Sequence, residues 1–171
     1  MWNVSVVLTW ANNPILRTVS KPIKKIDQNT RDFSIKLKDY MYEYDWVGLA
    51  APQVWNNIRM IAITFWREKK WELEFISDEI MINPNIIKFS KNKEFDIEWC
   101  LSLPWIEKEV ERSTEITVEY LNLEWEKIKK DLRWINARII QHEVDHLDAI
   151  LFIDRAKTTT WWLNIEKFIK N

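Results

Sequence analysis

Apolar residues recur along this chain with two distinct periods. From about Ile26 to Tyr44, the residues Phe33, Leu37, Tyr40, Met41 and Tyr44 fall at i, i+4, i+7, i+8 and i+11. That spacing predicts one buried face of an amphipathic helix, and core packing accounts for it fully. The period then shortens. Residues 58–65 (Ile-Arg-Met-Ile-Ala-Ile-Thr-Phe), 80–89, 94–98 and 116–121 read as strands, and the last alternates Ile116, Val118 and Tyr120 with polar neighbours. The helical period returns from about Asn136 to Leu147, and Leu163, Ile165, Phe168 and Ile169 fit a short terminal helix over 163–170. Residues 1–23 read as an extended, loop-rich arm punctuated by Pro14 and Pro22. The order of helix, several strands and helix predicts an α+β fold in a single domain spanning 1–171. In it, short antiparallel strands pack around a central helix, with an N-terminal amphipathic helix and a short C-terminal one.

Charge narrows the partners. The 25 basic and 26 acidic side chains leave a net charge of −1, so no broad nucleic-acid footprint is expected. Runs such as Arg67-Glu68-Lys69-Lys70 and Lys127 to Lys130 read as solvated turns or strand faces. No apolar run approaches the ~18 residues of a membrane span and no signal-peptide pattern opens the chain, which predicts a cytoplasmic protein without a membrane partner. One cysteine, Cys100, excludes an internal disulfide framework.

The central helix carries the candidate chemistry. His142 and His146 are the only two histidines, and their spacing of four puts both imidazoles on one face. Two nitrogen ligands so placed suit one divalent metal, with Glu143 between them free to act on a bound water. Cys100 has three readings: the third metal ligand, a thiolate nucleophile or an inert buried residue. As a ligand it would complete a three-ligand set with a fourth position for water; that set suits zinc, iron(II), cobalt or nickel, and ligand type alone does not choose. Asp145 faces away from the pair and reads equally as a support behind the histidines or as a solvated carboxylate. Ile135 and Ile139 precede the histidines on the same stripe. At least one is core, and Ile139 is the candidate wall of an apolar pocket sized for an unbranched side chain such as methionine.

One compositional fact is anomalous. There is a single glycine, Gly48, against 12 tryptophans, where about 12 glycines are expected from an average of roughly 7%. The tryptophans stand at turn-like places. Trp55 precedes Asn56-Asn57, Trp105 follows Pro104, Trp125 lies in a Leu-Glu-Trp-Glu-Lys turn, and Trp161-Trp162 follows three threonines. A tight turn often needs positive φ, which glycine adopts freely. The expectation is that most of these are glycine positions read through another genetic code, since UGA means tryptophan in one alternative code and glycine in another.

Three segments together carry a resemblance: Trp46-Val47-Gly48-Leu49-Ala50-Ala51-Pro52-Gln53, Glu98-Trp99-Cys100-Leu101-Ser102 and Gln141-His142-Glu143-Val144-Asp145-His146. In order and spacing they resemble the signatures of the peptide deformylase family. Asn13-Pro14-Ile15-Leu16-Arg17, Met81-Ile82-Asn83-Pro84 and Leu151-Phe152-Ile153-Asp154 extend the likeness over nearly the whole chain. The departures fall where the family has glycine and this chain has Trp46, Trp99 and Trp105.

The resemblance implies a metal-dependent hydrolase that removes the formyl group from the N-terminal formylmethionine of newly made polypeptides, giving formate and a free amino terminus. It implies Cys100, His142 and His146 as metal ligands and iron(II) as the ion, with activity lost in air as iron and thiolate oxidise. It implies Glu143 as the proton carrier, with the Gln53 side-chain amide and the Leu101 N–H as oxyanion donors. The peptide would lie as an added strand, hydrogen-bonded to the main chain of Gly48 and Leu101. Some relatives are thought to dock on the ribosome through the terminal helix. Two other classes compete. A generic zinc peptidase lacks a third histidine here. A non-catalytic metal-binding relative, inactivated by the tryptophans, is at odds with intact Glu143, Gln53 and Cys100.

Overall fold

A computed structural model of the chain describes residues 7–69 and 72–156. The terminal helix expected over 163–170 lies outside them. The first helix, α1 (Gln28–Glu43), starts at Asp27, whose side chain accepts from Thr30 N at 3.0 Å and so satisfies one of the free N–H groups of the first turn. Of its apolar stripe, Leu37 and Met41 are fully buried, each contributing about 2 kcal/mol through the area withdrawn from water.

Strands β1 (Gly48–Ala50), β2 (Met60–Lys69), β3 (Glu72–Phe89), β6 (Glu115–Leu121) and β7 (Lys127–Arg133) form one antiparallel sheet in the order β1-β2-β3-β6-β7. Strands β4 (Lys93–Cys100) and β5 (Leu103–Ser113) form a separate antiparallel hairpin. The period-two pattern of β2 decides how the sheet is covered. Ile61, Ile63 and Phe65 point into a cluster shared with Ile139, Ile140 and Val144 of the central helix α2 (Trp134–Leu147). Met60 and Ala62 point the other way, into a cluster with Leu37 and Met41 of α1. The sheet therefore lies between the two helices.

The hairpin and the short helix α3 (Phe152–Arg155) close the molecule over α2 through a third cluster that holds Leu16, Cys100, Leu103, Val110, Leu151 and Phe152. As a result every residue of α2 from Ile139 to Leu147 is buried. A helix buried on all sides is expected to be apolar all round, yet this one carries Gln141, His142, Glu143, Asp145 and His146 inside. Each must then find a partner or stand where a ligand completes it.

The strands are longer and more numerous than the sequence pattern predicts. β3 begins at Glu72 rather than residue 80, because its first five residues are all exposed and show no buried face; β5 was not predicted, because it alternates exposed and partly buried positions dominated by charge. β7, whose lysines read as a solvated face, alternates in the same way. Among the described residues no helix is long and apolar enough to cross a membrane.

Candidate metal centre

The end of β4, the turn after β1 and the middle of α2 converge on one buried place. Cys100 is the last residue of β4, and its Sγ lies 3.2 Å from His146 Nε2. The ligand atoms of Cys100, His142 and His146 all lie within 4.8 Å of one another, and all three side chains are buried. The two imidazoles sit one helical turn apart with centroids 5.0 Å from each other, and the His142 ring stacks on Phe152 of α3.

The residues present fit a metal ion. His142 Nδ1 is engaged by Glu98 Oε2 at 2.9 Å, which leaves its Nε2 as the free ligand atom. His142 Nε2, His146 Nδ1 and Glu143 Oε2 are fully buried with no hydrogen-bond partner among the described residues. Buried polar atoms are rarely left so, and the two imidazoles, one helical turn apart, form with the Cys100 thiol a soft nitrogen and sulfur donor set. Burial opposes charge on His142, but the neighbouring Cys100, the Glu98 hydrogen bond and the Glu143 charge outweigh it and hold the imidazole well above its ordinary value. Burial and the neighbouring His142 depress His146 well below its own.

Behind the ligands stands a set of charges. Burial pushes Glu98 up, but its hydrogen bonds from Arg112 and His142 win and hold the carboxyl well below the usual range. Arg112 donates to both Glu98 oxygens at 2.9 Å and also bonds Asp145. Arg138 adds a third bond to Glu98 at 2.8 Å, and Arg155 pairs with the Asp145 carboxylate. Asp145 does face away from the histidine pair, but it is buried in this ion network rather than solvated.

Gln53 belongs to a single 3-10 turn, Ala51–Val54, and its amide is oriented by its neighbours. Oε1 accepts from Ala50 N at 2.8 Å, so Nε2 is the end that reaches Cys100 Sγ at 3.3 Å and Ser102 Oγ at 3.2 Å. Leu101 follows Cys100 in the turn that joins β4 to β5, its side chain half-buried on the α1 side. Gly48 meets α2 at close quarters: a Cβ there would stand 2.7 Å from Glu143 Oε1 and 2.8 Å from Ile139 Cγ2. Burial pushes the Glu143 carboxyl up to about 7. Ile139 packs in the sheet cluster with its methyl toward Gly48, whereas Ile135 is a half-buried core residue.

The fold thus brings together Cys100, His142, His146, Glu143, Gln53, Leu101, Gly48 and Ile139. Sequence reasoning missed Arg112, Arg138 and the roles of Glu98 and Ser102. Glu98 and Ser102 flank Cys100 in the second segment, which was the available signal. Arg112 sits among alternating charges in β5 and had none.

The family model for polypeptide deformylase matches residues 6–161. A peptide deformylase from Carboxydothermus hydrogenoformans is 42% identical over 144 residues, 84% of this chain and 88% of the relative. The crystal structure of peptide deformylase from Thermotoga maritima superposes with a TM-score of 0.78 at 36% identity, covering 88% of this chain and 96% of that one. The Met-Ala-Ser-bound class I type b peptide deformylase from Acinetobacter baumannii superposes at 0.79 and 32% identity, covering 87% and 96%.

Proposed function

This chain belongs to the polypeptide deformylase family, and from that premise we propose that Cys100, His142 and His146 hold one iron(II) ion while Glu143, Gln53 and Leu101 carry out the hydrolysis. The enzyme removes the formyl group from the N-terminal formylmethionine of newly synthesised polypeptides and releases formate. The observation that carries the residue assignment is the set of buried, unpartnered atoms on His142, Glu143 and His146 beside Cys100.

The ion, when bound, supplies a Lewis acid that polarises the formyl carbonyl and acidifies water. Glu143 is not required as a ligand. With a carboxyl raised to about 7 by burial, it takes a proton from the attacking water and returns it to the leaving amine. The Gln53 Nε2 donor, turned toward Cys100 by the Ala50 contact, serves the oxyanion together with the Leu101 N–H. The main chain of Gly48 and of Leu101 aligns the peptide as an added strand, and Ile139 offers the apolar contact for the first side chain. The Acinetobacter baumannii relative binds Met-Ala-Ser, a peptide that begins with methionine. Such a substrate arises at the ribosome, which on this reading makes the cytoplasm the place of action.

Formate release from formyl-Met-Ala-Ser, followed beside the intact peptide backbone, tests the reading. Formate with a new free amine and no backbone cleavage is expected. Backbone cleavage, or a metal-loaded protein that releases no formate, would remove its basis.

A further inference from the structure

Positive φ gathers on one residue type. Eight non-glycine residues among those described have φ in the left-handed region, and five are tryptophans: Trp10 (82°), Trp55 (69°), Trp105 (69°), Trp125 (66°) and Trp134 (49°). Only three other described tryptophans exist, Trp46, Trp66 and Trp99, so most take this conformation. Asp45 and Asn83, two of the other three, have short polar side chains that tolerate it. A bulky indole does not; the region is the ordinary territory of glycine.

Each of the five stands where the backbone turns. Trp55 ends the 3-10 turn, with its N–H bonded to Ala51 O. The Trp125 N–H closes onto Asn122 O at 3.1 Å in the turn between β6 and β7. Trp105 lies in the stretch of β5 left without partners, since Cys100 pairs with Leu103 and Trp99 already pairs with Glu107. The Trp10 carbonyl accepts from Asn13 N, and Trp134 marks the handover from β7 to α2. None of them gains burial in return. Trp105 is 94% exposed, and the other four are all exposed. A tryptophan normally earns its place by withdrawing a large ring from water, and none of the eight is fully buried. Gly48, the single glycine, is retained where a Cβ would press on Glu143.

We infer that the working polypeptide carries glycine, not tryptophan, at these five positions and at exposed Trp99 beside Cys100, through a UGA codon that its host reads as glycine. Trp99 and Trp105 bracket Cys100, one before it in β4 and one in the unpaired stretch of β5. Glycine at both opens the β4–β5 turn that presents Cys100 and Leu101 to a peptide. That consequence rests on the deformylase reading; the identity of the residues does not.

Peptide mass spectrometry of the protein isolated from its host, read beside the codons of its gene, tests the inference without any assay of activity. Glycine masses at positions 10, 55, 99, 105, 125 and 134, encoded by UGA, are expected. Tryptophan masses there, or UGG codons, overturn it. A recombinant comparison gives a second reading. Replacing the five left-handed tryptophans (Trp10→Gly, Trp55→Gly, Trp105→Gly, Trp125→Gly, Trp134→Gly) should raise the melting temperature by about 10–20 °C. Recovery of only the glycine chain in soluble form gives the same answer, and a lowered melting temperature contradicts it.

Discussion

Glu143 and the two histidines beside it each have a buried polar atom that no described residue satisfies. A folded chain bears such a cost where a ligand or a reaction uses the group. On the proposed mechanism the use of Glu143 is proton transfer, so Glu143→Gln should cut formate release by at least about 100-fold while bound metal stays unchanged. Metal analysis beside the rate checks this, and parallel loss of metal would instead make Glu143 a structural support. Gly48 makes a second claim at this scale. Its missing side chain lets β1 lie against Glu143 and Ile139, and a methyl there must push the carboxylate aside. Gly48→Ala is expected to lower kcat by roughly 10- to 100-fold, the usual effect of misplacing a reacting group by a fraction of an ångström to an ångström, with metal content intact. Steady-state kinetics on the same peptide would show it.

Between elements, the hairpin β4–β5 is fastened to α2 by charge rather than by apolar packing alone. Glu98 on β4, Arg112 on β5 and Asp145 on α2 form a buried chain that ends on His142. Arg112→Leu strands two buried carboxylates. The loss should be about 3 kcal/mol, the low end for breaking a buried pair, because Arg138 still holds Glu98 and Arg155 still holds Asp145. Chemical denaturation midpoints report it. The same chain sets a pH dependence. The Glu98 carboxyl is depressed in the folded protein, so the unfolded chain binds its proton more readily. Its contribution is fully present above the ordinary glutamate value of about 4.5 and is lost as the pH falls below it. Midpoints should drop across that acid range, and Glu98→Gln should flatten the drop. A variant with an unchanged acid slope would show that the pair does not couple to folding. This fastening was not legible in the sequence. A helix stripe such as Leu37 and Met41, or the spacing of His142 and His146, is written locally in the chain. The meeting of Glu98, Arg112 and Asp145 depends on the register of β4 against β5 and on which side of α2 the hairpin lies.

Across the whole molecule, the sheet, its two covering helices and the hairpin converge on α2, and the only histidines and cysteine of the chain meet there. The α+β class and the convergence of the candidate site were legible because the apolar periods of α1, β2, β6 and α2 are clean and because three short segments hold nearly all the candidate residues. The extent of β3, β5 and β7 was not: β5 and β7 are dominated by charged residues and carry little hydrophobic alternation, and the start of β3 leaves even Leu73 and Phe75 exposed. The tryptophans lie between these cases: their number was visible in the sequence, but the left-handed backbone at five of them appears only in the fold. The proposal that unites the molecule is a single ion held by Cys100, His142 and His146. The most direct measurement follows formate release and bound metal together in anaerobically iron(II)-loaded protein, in the same protein after chelation, and in Cys100→Ala. One ion per chain is expected, with formate release rising and falling with it, lost on chelation and on removal of the thiol, and restored to the chelated protein by iron(II). Deformylation that survives with the metal gone would contradict the account.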